Sequence, residues 1–345
     1  MSSIFPNGFT SALNNVPASV IEGLWAETQG IIDEAALRIC PPQTVNNQTG
    51  NISIWNENGM VVTGGVDGAD VKKDFGSLPS AGQFTTTTVS YQLELNRFGS
   101  MSFEPHQVAI FEGALATDPV SAYIKKLVHQ ASQLYAFKVG GVLGTSGNYG
   151  SNTASGSGLT AVGGDIIGKI NDALDTLEAA GVDTSSGMKV VMNVKAARLL
   201  MKNNQISSFG GAIAYDSATP TTVKLGFADS VDFSALRQFF ARAFIVPIDL
   251  EVMKSRYLAQ SGSTQTPSYA IGNVIALLKG EGGYNSFVRA FTMGATPDGA
   301  ASGNIGVVQT AAIPVPVGSV QVYCDMYTQV RTISSKYGFL YTSVY

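Results

Sequence analysis

Two hydrophobic periodicities organise this chain. Between Pro119 and Lys138 apolar residues recur at helical spacing: Val120, Tyr123, Ile124, Leu127, Ala131, Leu134 and Tyr135 share a side, while Lys125, Lys126, Gln130 and Gln133 point elsewhere. Asp118 is placed to cap this helix and Pro119 suits its first turn. About 20 residues would span roughly 30 Å, and the glycines at 140, 141, 144, 147 and 150 are expected to break the helix. A second amphipathic helix is predicted over Asp165–Ala180, with Ile166, Ile170, Ala173, Leu174 and Leu177 on one face and Gly181 as its stop.

Elsewhere the period is two. From Phe84 to Arg97, Val89, Tyr91, Leu93 and Leu95 alternate with Ser90, Gln92, Glu94 and Asn96, which predicts one continuous strand. Upstream, Ile52, Ile54, Met60, Val61 and Val62 are strand formers, so residues 51–100 read as an extended two-stranded excursion. Its connection, Gly64–Gln83, is too long for a tight hairpin turn. A two-stranded ribbon is marginal alone in water, so it needs its own domain or a neighbouring subunit to lie on. Near the end, Val320, Val322, Cys324, Met326 and Val330 alternate with Gln321, Tyr323, Asp325, Tyr327, Gln329 and Arg331, which predicts a long strand to Thr332. The apolar, aromatic segment Tyr337–Tyr345 is expected to pair rather than trail.

Weaker patterns fill the remainder. A helix is expected within Ala18–Cys40, weakened by Gly30 and ended by Pro41 and Pro42. Residues 144–164, rich in Gly, Ser, Thr and Asn, read as a surface loop or hinge and mark a domain boundary. Strands are expected at Lys189–Met192, Val223–Phe227, Phe244–Leu250 and Tyr269–Leu278. Asn193 is placed to cap a helix with Val194, Ala197, Leu200 and Met201 in phase. Asp232–Ala243 reads as a helix with Leu236, Phe239 and Phe240 inward.

Composition sharpens this picture. The chain has 345 residues, 45% of them hydrophobic, enough to bury a sizeable core. Only 13% are charged, about half the usual share, and 38 are glycine. Surface that carries so little charge is often covered by other subunits. The net charge of −4 gives no strongly basic field for nucleic acid. Cys40 and Cys324 have neither CxxC nor metal spacing and are expected to be buried free thiols. No signal peptide is read in MSSIFPNGFT, no membrane span is expected, and folding in a cytoplasm is the expectation.

The search for chemistry excludes several classes. His106 and His129 are the only histidines, so a multi-histidine metal site is ruled out. No GxSxG elbow occurs. Gly163–Lys169 has the spacing GxxxxGK, but Ile170 stands where a phosphate loop needs a hydroxyl, and Asp165 would repel phosphate. Asp172 and Asp175 fall on the solvent face of their helix. No catalytic residue, cofactor or metal is assigned, and no enzyme is expected.

The order of parts resembles the major capsid protein of tailed double-stranded DNA phages. The resemblance rests on an extended β excursion, a long helix, a glycine-rich crossover, an α/β unit containing MKVVMNVKAARLLMKN, and returning strands. It implies an α+β capsid fold, with residues 1–50 an N-terminal arm and 51–100 an elongated loop and its base. Residues 101–150 would be a peripheral domain whose spine helix includes Asp118, Pro119, Tyr123, Leu127 and Leu134. Residues 151–304 would be an α/β axial domain, and 305–345 strands returning to the peripheral domain. The implied partners are further copies of the chain in pentamers and hexamers, a portal, scaffold or cement proteins, and packaged double-stranded DNA held without sequence specificity. The implied location is the virion, after assembly in a host cytoplasm. Some members link subunits through a loop lysine; Lys72 and Lys73 lie in the corresponding loop, but no partner residue can be named. An encapsulin-like shell, or a β-rich adhesin or surface-layer subunit, remains open. Val66, Val71, Phe75 and Leu78 are spaced along the loop with Lys72 and Lys73 among them, a pattern expected of a segment that lies over an adjacent subunit. Folding back onto its own domain is the alternative.

Overall fold

The computed structural model describes residues 34–55, 86–103, 119–209, 233–261, 264–279, 286–292, 307–313 and 319–345. The elements in chain order are helix α1 (Glu34–Ile39) and strands β1 (Pro42–Thr44), β2 (Thr49–Trp55), β3 (Thr86–Gln92) and β4 (Glu94–Phe103). The long helix α2 (Pro119–Gly144) follows, then a 3-10 turn (Ser146–Tyr149) and β5 (Thr153–Ser155). Next come α3 (Ile166–Ala179), β6 (Met188–Asn193), α4 (Val194–Leu200), α5 (Asn204–Phe209) and α6 (Ser234–Arg242). The rest is β: β7 (Ile248–Met253), β8 (Arg256–Ser261), β9 (Thr264–Tyr269), β10 (Val274–Lys279), β11 (Val288–Thr292), β12 (Val307–Ile313), β13 (Ser319–Thr332) and β14 (Gly338–Thr342).

Among the described residues they form two five-stranded sheets and two ribbons. The central sheet has the order β5-β14-β10-β6-β7. In it β6 runs parallel to β7, β5 parallel to β14, and β10 antiparallel to both neighbours. The long sheet is built on β13. Strand β4 lines one edge, while β12 and β11 share the other edge end to end, and β1 adds beside β11. Strands β2–β3 and β8–β9 form separate two-stranded ribbons.

Helix α2 joins the sheets. Its 26 residues give about 39 Å at 1.5 Å per residue, and it packs across β13 while its last turns reach β10. The expected break after Lys138 does not occur. Gly140 is needed inside the helix, because a Cβ there would overlap the carbonyl of Ala270. The helix ends where side chains take over its orphan carbonyls: Thr145 Oγ1 donates to Gly141 O at 2.8 Å, Asn148 Nδ2 to Val142 O at 2.7 Å and Tyr149 OH to Leu143 O at 2.8 Å.

Several other expectations are corrected. Residues 144–164 are not a free loop. β5 pairs with β14, Tyr149 and Leu159 are buried, and Tyr149 stacks on Phe287 at 4.3 Å. The glycines there serve turns and close approach, so a loop-like composition conceals an edge of the core. The strand read over Phe84–Arg97 is two strands in different sheets, interrupted at Leu93, whose N–H turns away to Gln48 O at 2.8 Å. The strand read over Phe244–Leu250 is β7, and Tyr269–Leu278 splits between β9 and β10. The C-terminal residues divide: β13 builds the long sheet, but β14 enters the central one.

The α/β unit follows its pattern closely. Asp165 caps α3, accepting from Gly168 N at 2.9 Å, and Ile166, Ile170, Ala173, Leu174 and Leu177 are buried. Gly181 at φ +79° follows the helix as its left-handed stop. Asn193 caps α4 by accepting from Ala196 N at 2.8 Å. Leu236, Phe239 and Phe240 of α6 are buried as expected. The readings at Ala18–Asp33, Met60–Val62, Gly64–Gln83, His106, Asp118 and Val223–Phe227 lie outside the described residues.

Candidate assembly surfaces

Among the described residues the most unusual surface begins at β2 and β3. These strands pair from Thr49↔Gln92 to Trp55↔Thr86. Their root is fixed to the long sheet. Gln92 N donates to Gln329 Oε1 at 2.7 Å, Arg331 Nη1 donates to Ser90 O, and Tyr91 stacks on Phe291 with centroids 4.9 Å apart. Tyr91, Leu93, Phe291 and Ile333 form a small core of their own. Gly50 leaves room for the Tyr91 ring, since a Cβ there would lie 2.5 Å from the Tyr91 hydroxyl and the ring would have to shift. Beyond the root the ribbon loses cover: Asn51, Ser53, Thr88 and Ser90 are exposed, and Ile52 and Val89 are only half-buried. The inter-subunit candidates Val66, Val71, Lys72, Lys73, Phe75 and Leu78 lie outside the described residues, between these strands.

The two faces of the long sheet differ. One lies under α2 and buries Cys324, Met326 and Thr328 from β13 with Ala290 and Thr292 from β11. Burial pushes the Cys324 thiol up to about 12. The other face carries Tyr323, Asp325, Tyr327, Gln329 and Arg331, with Arg97 and Leu95 across from Asp325 and Tyr327. Alternation places Asp325 on a polar face, yet it is only 3% exposed. Arg97 resolves the conflict: its Nε and Nη2 meet the carboxylate at 2.7 and 2.8 Å, and its guanidinium sits 4.8 Å from the Tyr323 ring centre. The carboxylate beside it holds the Arg97 proton even more firmly than usual. Leu95, expected inside, is 45% exposed on this face. Arg and Tyr, which this face carries, are residues enriched at interface centres.

Of the spine-helix candidates, Leu127 is fully buried, while Tyr123 and Leu134 are half-buried. Pro119 is the first helical residue. Sequence reasoning missed Val139 and Leu143, both buried, because it ended the helix at Lys138, and it passed over the buried Ala136 inside that helix. The hint was present, since Val139, Val142 and Leu143 keep the helical phase past the glycines. His129 is half-buried; its Nδ1 has no hydrogen-bond partner, and desolvation lowers its pKa below the ordinary imidazole value.

The GxxxxGK segment has a structural role. Asp165 Oδ1 accepts both Gly168 N and Gln205 Nε2, and Gln205 Oε1 accepts the amides of Ile166 and Ile167 at 2.8 and 3.1 Å. The amides that a phosphate loop would offer a nucleotide are already satisfied by side chains, and these contacts hold the Asp165 carboxyl below its usual pKa. Among the described residues no cluster of three His, Cys, Asp or Glu could hold a metal ion, and no helix is long and apolar enough to cross a membrane.

No protein-family model matches this sequence, and no curated protein matches it. Solved structures do. A phage-related protein from Bordetella bronchiseptica RB50 superposes with a TM-score of 0.62 at 11% identity, over 97% of this chain and 98% of that one. The capsid of the cyanophage P-SCSP1u gives 0.50 at 9% identity, over 98% and 91%. The mature capsid of bacteriophage PhiM1 gives 0.50 at 9%, over 89% and 86%. At such identities the chains share architecture, not a set of residues. This chain therefore has the α+β fold of phage capsid subunits, over nearly its whole length.

Proposed function

We propose that this chain is the major capsid protein of a tailed double-stranded DNA phage, closing with copies of itself into an icosahedral shell of pentamers and hexamers. The observation that carries the reading is the near end-to-end match to capsid-fold chains. The ribbon supports it: β2 and β3 are anchored firmly at the root and thinly covered beyond it, an arrangement that a neighbouring subunit would complete. The part of the long sheet beyond the ribbon root, with Arg97, Tyr323 and the exposed Leu95, offers a second contact surface. Portal, scaffold and cement proteins are the further partners of such a shell, and the enclosed DNA is held without base recognition by a chain of net charge −4.

Electron microscopy and size-exclusion chromatography of purified native material test the proposal. Closed isometric particles containing duplex DNA are expected. A stable monomer or an open helical filament overturns it, and shells holding only protein cargo would move the chain to the encapsulin class. Within this reading, residues 64–83 lie over the adjacent subunit. Phe75→Ala then weakens particles more than it weakens the folded subunit, and equal hydrogen-exchange protection of residues 64–83 in capsomers and finished shells would remove that role.

A further inference from the structure

Charge is sorted along one layer of the molecule. The central sheet runs β5-β14-β10-β6-β7, with β5 and β6 pointing the same way and β6 parallel to β7. The chain passes from β5 to β6 through α3, and from β6 to β7 through α4, α5 and α6. Parallel strands joined in this way take right-handed crossovers, and both steps move toward β7, so these helices cover the same face of the sheet. Tyr341 OH marks that face by donating to Lys169 O on α3. Helix α3 packs on β14, while α4 and α6 pack on β7 at the far edge.

The inward sides of α3, α4 and α6 are apolar, but their outward sides carry opposite charge. Asp172, Asp175 and Glu178 are exposed on α3, against a single exposed Lys169. The second crossover is the reverse. Its described residues, 194–209 and 233–247, carry Lys195, Arg198, Lys202, Arg237 and Arg242, all exposed, and no Asp or Glu. Residues 210–232 add Lys224 with Asp216, Asp229 and Asp232 in sequence, which leaves this crossover net positive in a chain of net charge −4. Among the described residues, none of the three α3 carboxylates and none of the five cations is ion-paired. Lys195 lies instead 4.1 Å from the Tyr345 ring centre.

A layer with the two signs in separate halves complements a second copy of itself better than a polyanion, which the α3 half would repel. We propose that the acidic α3 surface of one copy docks against the basic α4–α6 surface of the next. The two surfaces belong to different parts of the subunit, so the contact is head-to-tail and repeats into a ring or a filament. Exposed ion pairs are individually weak and screened by salt, so these charges select partner and direction more than they supply affinity. This contact rests on the shell reading only in needing copies of the chain to associate.

Two charge-reversed chains test it. One carries Arg198→Glu, Lys202→Glu and Arg237→Glu; the other carries Asp172→Lys, Asp175→Lys and Glu178→Lys. All these positions are exposed. Circular dichroism and denaturant midpoints check that each chain folds as the wild type does, and a chain that does not is replaced by its charge-neutral form, with Gln or Asn at the same positions, which should lower assembly in the same direction. Assembly is read at low salt by native mass spectrometry. Each reversed chain alone should lose assembled material by about tenfold or more. Mixing the two should restore it, in rings of even copy number only, because the two chains must alternate. A chain carrying all the reversals together should assemble as the wild type does. Full assembly of either reversed chain alone, or no rescue on mixing, would overturn the proposal. So would a basic-to-acidic chain that assembles fully but loses copurifying nucleic acid, since that surface would then be a polyanion site. Filaments instead of closed shells from the wild type would overturn the capsid reading and leave the rescue on mixing intact, so the two failures are distinct.

Discussion

The two five-stranded sheets solve different problems with the same number of strands. In the central sheet every residue of β6 is buried, and so are five of the six in β10. Helices α3 and α6 and the 3-10 turn pack against this layer, and Tyr341 of β14 reaches across to donate to Lys169 O on α3. The long sheet has α2 on one side; on its other side the β2–β3 root covers the part over Phe291, Gln329 and Arg331, and Arg97, Tyr323 and an exposed Leu95 lie beyond it. A layer covered on both sides is what makes the chain fold; a layer whose second side is only partly covered is where the proposed assembly would find its contacts. Substitutions in the two sheets should therefore separate stability from assembly.

The largest expected effect lies in the central sheet. Leu277, fully buried in the middle strand β10, should lose about 2–5 kcal/mol of stability as Leu277→Ala, read from denaturant midpoints. An effect below about 1 kcal/mol would mean that this sheet is not the folding core. The joint between the sheets comes next, where two adjacent glycines of α2 should respond with opposite signs. Gly140→Ala drives a methyl into the Ala270 carbonyl, a backbone atom that cannot swing aside, and should cost about 1–3 kcal/mol despite better helix propensity. At Gly141 nothing lies within 4 Å, so Gly141→Ala should gain about 0.5–1 kcal/mol. Equal signs would show that α2 does not seat on the β9–β10 connection as described. On the open face, Leu95→Ser should change subunit stability by less than about 0.5 kcal/mol while lowering particle yield. Unaltered yield would remove that face from the assembly surface.

The same contrast explains what the sequence disclosed. Periodicity reports burial against one consistent neighbour. Hence α3, α6, β6, β13 and the Asn193 cap were legible, since each buries a regular stripe or satisfies a local amide. It fails where distant residues decide. Gly140 looks like a helix breaker until Ala270 is brought beside it. Asp325 looks like a solvated residue until Arg97, 228 positions away, covers it. The break at Leu93 is invisible because both sheets accept the same alternation. Arg38, Lys189 and Glu251 were the least legible: they lie in three separate segments, and no local pattern announces that they meet.

The smallest effect concerns the seam itself. His129 sits on α2 with its Nδ1 out of reach of water and without a partner. Desolvation disfavours the imidazolium there, so its pKa in the folded chain lies below the ordinary value near 6.5. As pH falls through that ordinary value, the unfolded chain takes up the proton first and the folded chain does not. Stability from this residue is therefore complete above about pH 6.5, declines as pH drops toward the folded value, and is fully lost below it. His129→Gln removes the titration while keeping a polar side chain of similar reach. Denaturant midpoints at pH 7.5 and 5.5 should thus differ less in the variant than in the wild type, with carboxylate contributions common to both. An identical difference in the two proteins would mean that folded and unfolded states bind this proton equally, and that α2 leaves His129 open to solvent.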